Sequence, residues 1–187
     1  MTDDSSRRCG ACTYCCKVMN IDELGKPPGL WCQHRTERGC GIHGSHPATC
    51  KSFMCQWLID PLIASGLRPD KSKVVLAADD DGRLIAVCDP NNPLAWKREP
   101  MFSLLKQQAR ATWMTKATVL VKAGKRLWII TPTTEISLGE IDERSPYHIF
   151  QNPDGTARVE VLPPPPIGDD VRSYVASLHK ATPGRQT

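Results

Sequence analysis

Eight of the nine cysteines in this chain fall between Cys9 and Cys55. They open with Cys9-Gly10-Ala11-Cys12-Thr13-Tyr14-Cys15-Cys16, and hydrophobic packing has no use for thiols at that density. Two residues between successive cysteines let a tight turn aim both sulfurs at one point, so the run reads as a knuckle for a metal ion or cluster. Cys32, Cys40, Cys50 and Cys55 follow, which makes eight candidate metal ligands. Cys16 adjoins Cys15 and must point elsewhere, to a second site or to none. Thiolates select zinc, copper(I) or iron–sulfur clusters over magnesium and calcium. Three cysteines at this spacing with a remote fourth resemble cubane ligation, which favours an iron–sulfur cluster slightly over zinc. His34, His43 and His46 lie among the cysteines and could each replace a thiolate.

The polar start of the chain, Met1 to Arg8, lacks the apolar core of a signal peptide, and no apolar run is long enough to span a bilayer. The expectation is a cytoplasmic protein, where dense cysteines hold metals more often than disulfides. A net charge of +4 is mild. Arg7, Arg8, Lys17, Arg35, Arg38 and Lys51 are scattered and read as a solvated surface, so neither nucleic acid nor membrane is expected as a partner.

Residues 1–66 read as an irregular cysteine-cluster metal-binding module. It has one short helix near Ala48 to Met54 and another from Gln56 to Ser65, interrupted or begun again at Pro61. Trp31 and Trp57 flank two of the cysteines, where they could form an apolar lid, and ordinary core packing explains them equally well. The texture changes at residue 67. Lys73 to Ala78 and Arg83 to Cys88 form a hairpin around Asp79-Asp80-Asp81-Gly82, with Cys88 as a core thiol. Met101, Leu104, Leu105, Gln108, Ala109, Thr112 and Trp113 repeat at helical spacing behind Pro100. Thr118 to Lys122 and Arg126 to Thr131 make a second hairpin, and Glu135 to Ile141 an edge strand. Residues 67–150 are thus a small antiparallel sheet with one covering helix. Residues 151–187 read as a proline-rich spacer (Pro163 to Pro166) and a C-terminal helix capped by Asp169 or Asp170, with Val171, Tyr174, Val175 and Leu178 as its stripe. The fold class is α+β.

The cysteine order Cys9-x-x-Cys12-x-x-Cys15-Cys16, Cys32, Gly39-Cys40-Gly41-Ile42-His43, then His46-Pro47-x-x-Cys50-Lys51-Ser52-Phe53-Met54-Cys55 resembles the YkgJ-type cysteine-cluster family, the CxxCxxCC zinc- or iron-chelating domain. The resemblance covers about residues 9 to 58. His43 stands where that family has an aromatic and His46 where it has Arg. It implies metal binding, with a metal ion or cluster as the first partner and a docking protein as a further one. A larger relative, the flagellin lysine N-methylase, joins the module to additional sequence. Two functions therefore compete. One is a metal or redox binding module without chemistry of its own, which the short chain favours. The other is an iron–sulfur redox or group-transfer enzyme. No Ser–His–Asp set, phosphate loop or dinucleotide fingerprint is present, and no catalytic residue is assigned. Cys40 with His43 and Cys50 with His46 are the nearest thiol–base pairs.

Overall fold

The computed structural model describes residues 7–79, 82–115, 117–168, 170–171 and 173–176. The chain is an α+β fold whose strands form sheets of two, five and two. The two-stranded sheet β1 (Arg35–Thr36) and β2 (Gly39–Cys40) lies in the cysteine segment. The central sheet runs in sequence order through β3 (Val74–Ala78), β4 (Leu84–Cys88), β5 (Val119–Ala123), β6 (Arg126–Ile130) and β7 (Glu135–Glu140). β4 and β5 pair in parallel and the other neighbours antiparallel, so the sheet is mixed rather than the antiparallel one expected. The reason is the intervening helix: a hairpin cannot join parallel neighbours, and the crossover carries α5 (Met101–Thr112). Glu99 accepts a hydrogen bond from the Ser103 amide at 3.2 Å and satisfies one free donor of the first turn.

Period-two alternation decides what each face of the sheet meets. Val74, Leu76, Ala86, Val119, Val121 and Ile130 face α5, packing with Trp96, Met101, Leu105 and Ala109. Leu120, Leu127 and Ile129 point to the opposite face. There they are covered by Tyr147, Ile149 and Val159 of a hairpin formed by β8 (Tyr147–Gln151) and β9 (Ala157–Val161). Sequence reading missed this hairpin, although Asn152-Pro153-Asp154-Gly155 between its strands is turn chemistry. The boundary expected at residue 150 falls inside β8. Lys106 is almost fully buried and anchors α5 to the β6–β7 connection by donating to the carbonyls of Thr131 (2.9 Å) and Thr134 (3.2 Å). Of the expected C-terminal helix, a first turn is described: Asp170 accepts from the Ser173 amide at 3.0 Å. Asp169 and Leu178 lie outside the described residues, as do Asp80 and Asp81 of the first hairpin turn.

The cysteine segment straddles the β3 edge. Four short helices carry it: α1 (Cys15–Val18), α2 (Ala48–Ser52), α3 (Gln56–Ile59) and α4 (Pro69–Ser72). Tyr14, Val18 and Phe53 pack on Val75 on one face, while Trp57, Ile63 and Leu67 join the α5 core on the other. Arg7 closes the segment. Its guanidinium donates to the carbonyls of Trp57, Asp60, Pro61 and Ile63 at 2.8–3.0 Å and lies 4.8 Å from the centre of the Trp57 ring. The helix expected to reach Ser65 ends at Ile59, and the chain turns back at Pro61 to expose those carbonyls.

Tyr14 is the largest side chain joining the cysteine segment to Val75. Tyr14→Ala is predicted to lower stability in chemical denaturation by roughly 3 kcal/mol and to raise protease cleavage within residues 9–56. A loss below about 0.5 kcal/mol, the range of surface substitutions, would overturn this account of the junction.

Candidate functional site: a thiol-lined cavity

All eight clustered cysteines line one cavity of about 840 Å³ between the cysteine segment and the sheet. Cys9 and Cys12 come from the first turn, where the Cys12 amide donates to the Cys9 carbonyl at 2.8 Å. Cys15 and Cys16 open α1, Cys40 ends β2, Cys50 lies in α2 and Cys55 precedes α3. Cys32 is buried and is tied to α1 by a 3.0 Å hydrogen bond from its amide to the Cys16 carbonyl. Gly39 brings β2 to the first turn. Its φ is +133°, and a Cβ there would sit 2.9 Å from the Gly10 carbonyl oxygen, so only glycine lets Cys40 approach. Glu23 fixes α2 by accepting from the Thr49 amide (3.1 Å) and hydroxyl (2.8 Å). Cys88 stays apart, fully buried in the α5 core, where burial pushes its thiol up to about 12.

Among the described residues, however, no three His, Cys, Asp or Glu side chains converge on a point where one ion could sit. A thiolate zinc site needs sulfurs about 2.3 Å from the metal. Here the sulfurs are spread over the wall of a far larger space. The expected N-terminal metal module, its iron–sulfur cluster or zinc, and a metal ion or cluster as partner are corrected on this ground. The readings as a metal-chelating module and as an iron–sulfur enzyme are corrected with them. Trp31 and Trp57 are not lid residues: neither lines the cavity, and Trp57 belongs to the core.

The thiols differ in their electrostatics. Cys15 donates its S–H to Cys16, which holds the Cys15 proton firmly and eases ionisation of Cys16. Lys26 and Arg35 add to that hydrogen bond against the opposing cost of burial, and the Cys16 thiol comes down to about 7. Lys26 is 7% exposed and donates to the carbonyls of Lys17 (2.9 Å) and Met19, which holds its ammonium behind the thiols. Burial raises Cys9, with repulsion from Cys55, Cys12 and Cys16 adding to it. Burial also raises Cys50, reinforced by Cys16, Cys32 and Cys40. Ionisation is thus eased at Cys16 and opposed by burial at Cys9, Cys12, Cys50 and Cys55.

His43 and His46 line the cavity and stack at 5.0 Å between ring centres. The Gly44 amide donates to His46 Nδ1 at 2.9 Å, so a neutral His46 carries its proton on Nε2. His34 does not line the cavity. Sequence reading treated Arg7, Arg8, Arg38 and Lys51 as ordinary surface, yet all four line the cavity. A signal was present, because each lies within two residues of a cysteine.

No helix among the described residues is long and apolar enough to cross a membrane. Comparison with protein-family models, curated proteins and solved structures finds no match to this chain. The resemblance to the YkgJ-type family is therefore corrected as well, since no family model matches.

The site is joined to the sheet by an ion pair between Lys17 of α1 and Asp89, whose side chain is 3% exposed. Burial works to raise the Asp89 carboxyl, but the Lys17 ammonium and the Asn91 amide outweigh it and leave it below the usual carboxylate range. A depressed carboxyl stabilises the fold above its ordinary range and loses that contribution as pH falls through its lowered value. Stability should accordingly decline on acidification, and Asp89→Asn should flatten that decline in pH-dependent denaturation. Lys17→Met leaves a buried carboxylate without its cation and should cost roughly 3 kcal/mol.

Proposed function

We propose that the protein is a thiol–disulfide exchange protein, with Cys16 as the attacking thiolate and Cys50 as the resolving thiol. The observation that carries this reading is the convergence of eight cysteines on one cavity, at least one with an eased ionisation. The Cys16 thiolate attacks one sulfur of a disulfide R–S–S–R. The S–S bond breaks, and one R–S⁻ leaves and takes up a proton. Cys50 then gives up its proton and attacks the mixed disulfide, forming Cys16–Cys50 and releasing the second R–SH. Two protein thiols are oxidised and one disulfide is reduced. Cys50 is assigned the second role because it lines the same cavity from α2 and its thiol feels the charge of Cys16.

Cys16 carries a larger thiolate fraction near neutral pH than an ordinary thiol. A weaker base is a poorer nucleophile, so the net advantage is smaller than the gain in thiolate fraction. Reduced thiols in this number suit a cytoplasmic setting. We also propose that the segment up to residue 66 acts as the unit carrying the site, docked on the sheet through Tyr14, Val18 and Trp57, with the five-stranded sheet and α5 as the supporting region and the β8–β9 hairpin as its extension.

Alkylation by iodoacetamide tests the reading, followed by peptide mapping after exposure to a small disulfide. A fast phase with a pH midpoint of about 7 is expected, lost in Cys16→Ser, together with a Cys16–Cys50 cross-link. Three results would overturn it: a fast phase that survives Cys16→Ser, a cross-link that excludes Cys16, or thiols that react only after a chelator is added.

A further inference from the structure

The walls of the thiol cavity carry charge of one sign. Arg7, Arg8, Arg38 and Lys51 line it, and no Asp or Glu does among the described residues. Two carboxylates outside the lining, Glu23 and Asp70, are felt by Cys50 and Cys12. Glu23 is bonded to Thr49, and Asp70 faces Arg68 at 2.5 Å. The Arg7 guanidinium is held by four backbone carbonyls, so it contributes charge rather than contact. Arg8, Arg38 and Lys51 are exposed and have no carboxylate partner among the described residues. Lys26 adds a buried cation behind Cys16 and Cys32. A concave site lined by cations, and by no carboxylate among the described residues, concentrates anions, and its size matches sites that hold small organic molecules.

We infer that the disulfide this cavity accepts is a small anionic one, with carboxylate or comparable groups flanking the S–S bond. The cations around the thiols serve as its specificity residues. The inference rests on the thiol-exchange reading above. Arg8, Arg38 and Lys51 meet the flanking anions and leave the S–S bond to the thiols that line the same cavity. Lys51 follows Cys50 and Arg38 lies two residues before Cys40, so the charge that selects the ligand is placed beside the cavity sulfurs. Neutral and cationic disulfides lack this attraction, and the cationic ones meet repulsion.

The test uses the full chain, fully reduced, and three probes: dithiobis(2-nitrobenzoate) as dianion, hydroxyethyl disulfide as neutral molecule and cystamine as dication. Each rate is divided by the rate of the same probe with 2-mercaptoethanol, which removes intrinsic reactivity. In low salt the dianion is expected to be favoured over the dication by about tenfold or more, falling towards unity near 0.5 M salt. Arg38→Gln with Lys51→Gln should reduce the preference to about twofold or less, while Arg38→Lys with Lys51→Arg should keep it. Equal normalised rates for all three probes would overturn the anion preference and leave thiol exchange standing. A preference untouched by the Gln pair would overturn the assignment to these cations. Should no probe react faster with the protein than with the free thiol, the exchange reading itself fails, and the anion preference with it.

Discussion

Everything in this molecule leans on strand β3, which is buried on both faces. Val74 and Leu76 lie against the α5 core, and Val75 lies against Tyr14, Val18 and Phe53. All three side chains are at most 2% exposed. An edge strand normally leaves one face or its free rim to solvent, where it invites pairing with another chain. Here the cysteine segment wraps the rim, with Cys55 touching the clusters on both sides. Burying a branched aliphatic side chain contributes about 1.5–3 kcal/mol, so a few residues on β3 outweigh what the polar, glycine-rich cysteine segment could bury alone. The sheet supplies the rigid wall, and the segment supplies the chemistry.

Crowded thiols limit one another. A second thiolate near Cys16 would stand within reach of the first at low effective dielectric, which is why Cys9 and Cys50 are held protonated by burial and by their sulfur neighbours. The hydrogen bond from Cys15 breaks the symmetry between otherwise similar groups. Which sulfur ionises is thus decided by one donor and two cations, Lys26 and Arg35. The Arg35 side chain is itself held by Thr13, 3.1 Å from its Nε, and by the Trp31 ring 4.2 Å below.

Much of the sheet was legible in the sequence. The apolar runs Val74 to Ala78 and Leu84 to Cys88 on either side of an Asp-Gly turn, and helical spacing from Met101, mark elements the structure contains. Strand direction was not legible, because residue patterns say which face a strand buries and not which neighbour it chooses. The β8–β9 hairpin was lost because the proline run after it drew the whole tail into one compositional reading. At the site, spacing identified the eight cysteines that share the cavity, but spacing is a statement about sequence distance. Three thiols on a turn can point at one ion or line a wall, and the choice depends on backbone placement that Gly39, Glu23 and Arg35 impose from afar. The cations went unread because charge was judged by run length, whereas their significance lies in adjacency to cysteine.

The four carbonyls gripped by Arg7 join the two ends of the stretch that holds every cavity cysteine, and so turn it into a closed ring without a covalent bond. The entropy of closing a loop grows only slowly with its length, and shortening a loop that is already shut saves little more. A sulfur–sulfur bond formed inside such a ring therefore rearranges a boundary that is already fixed. The chain can cycle between two covalent states with its outline held by a guanidinium, and its ends need not part and find each other again at each turn.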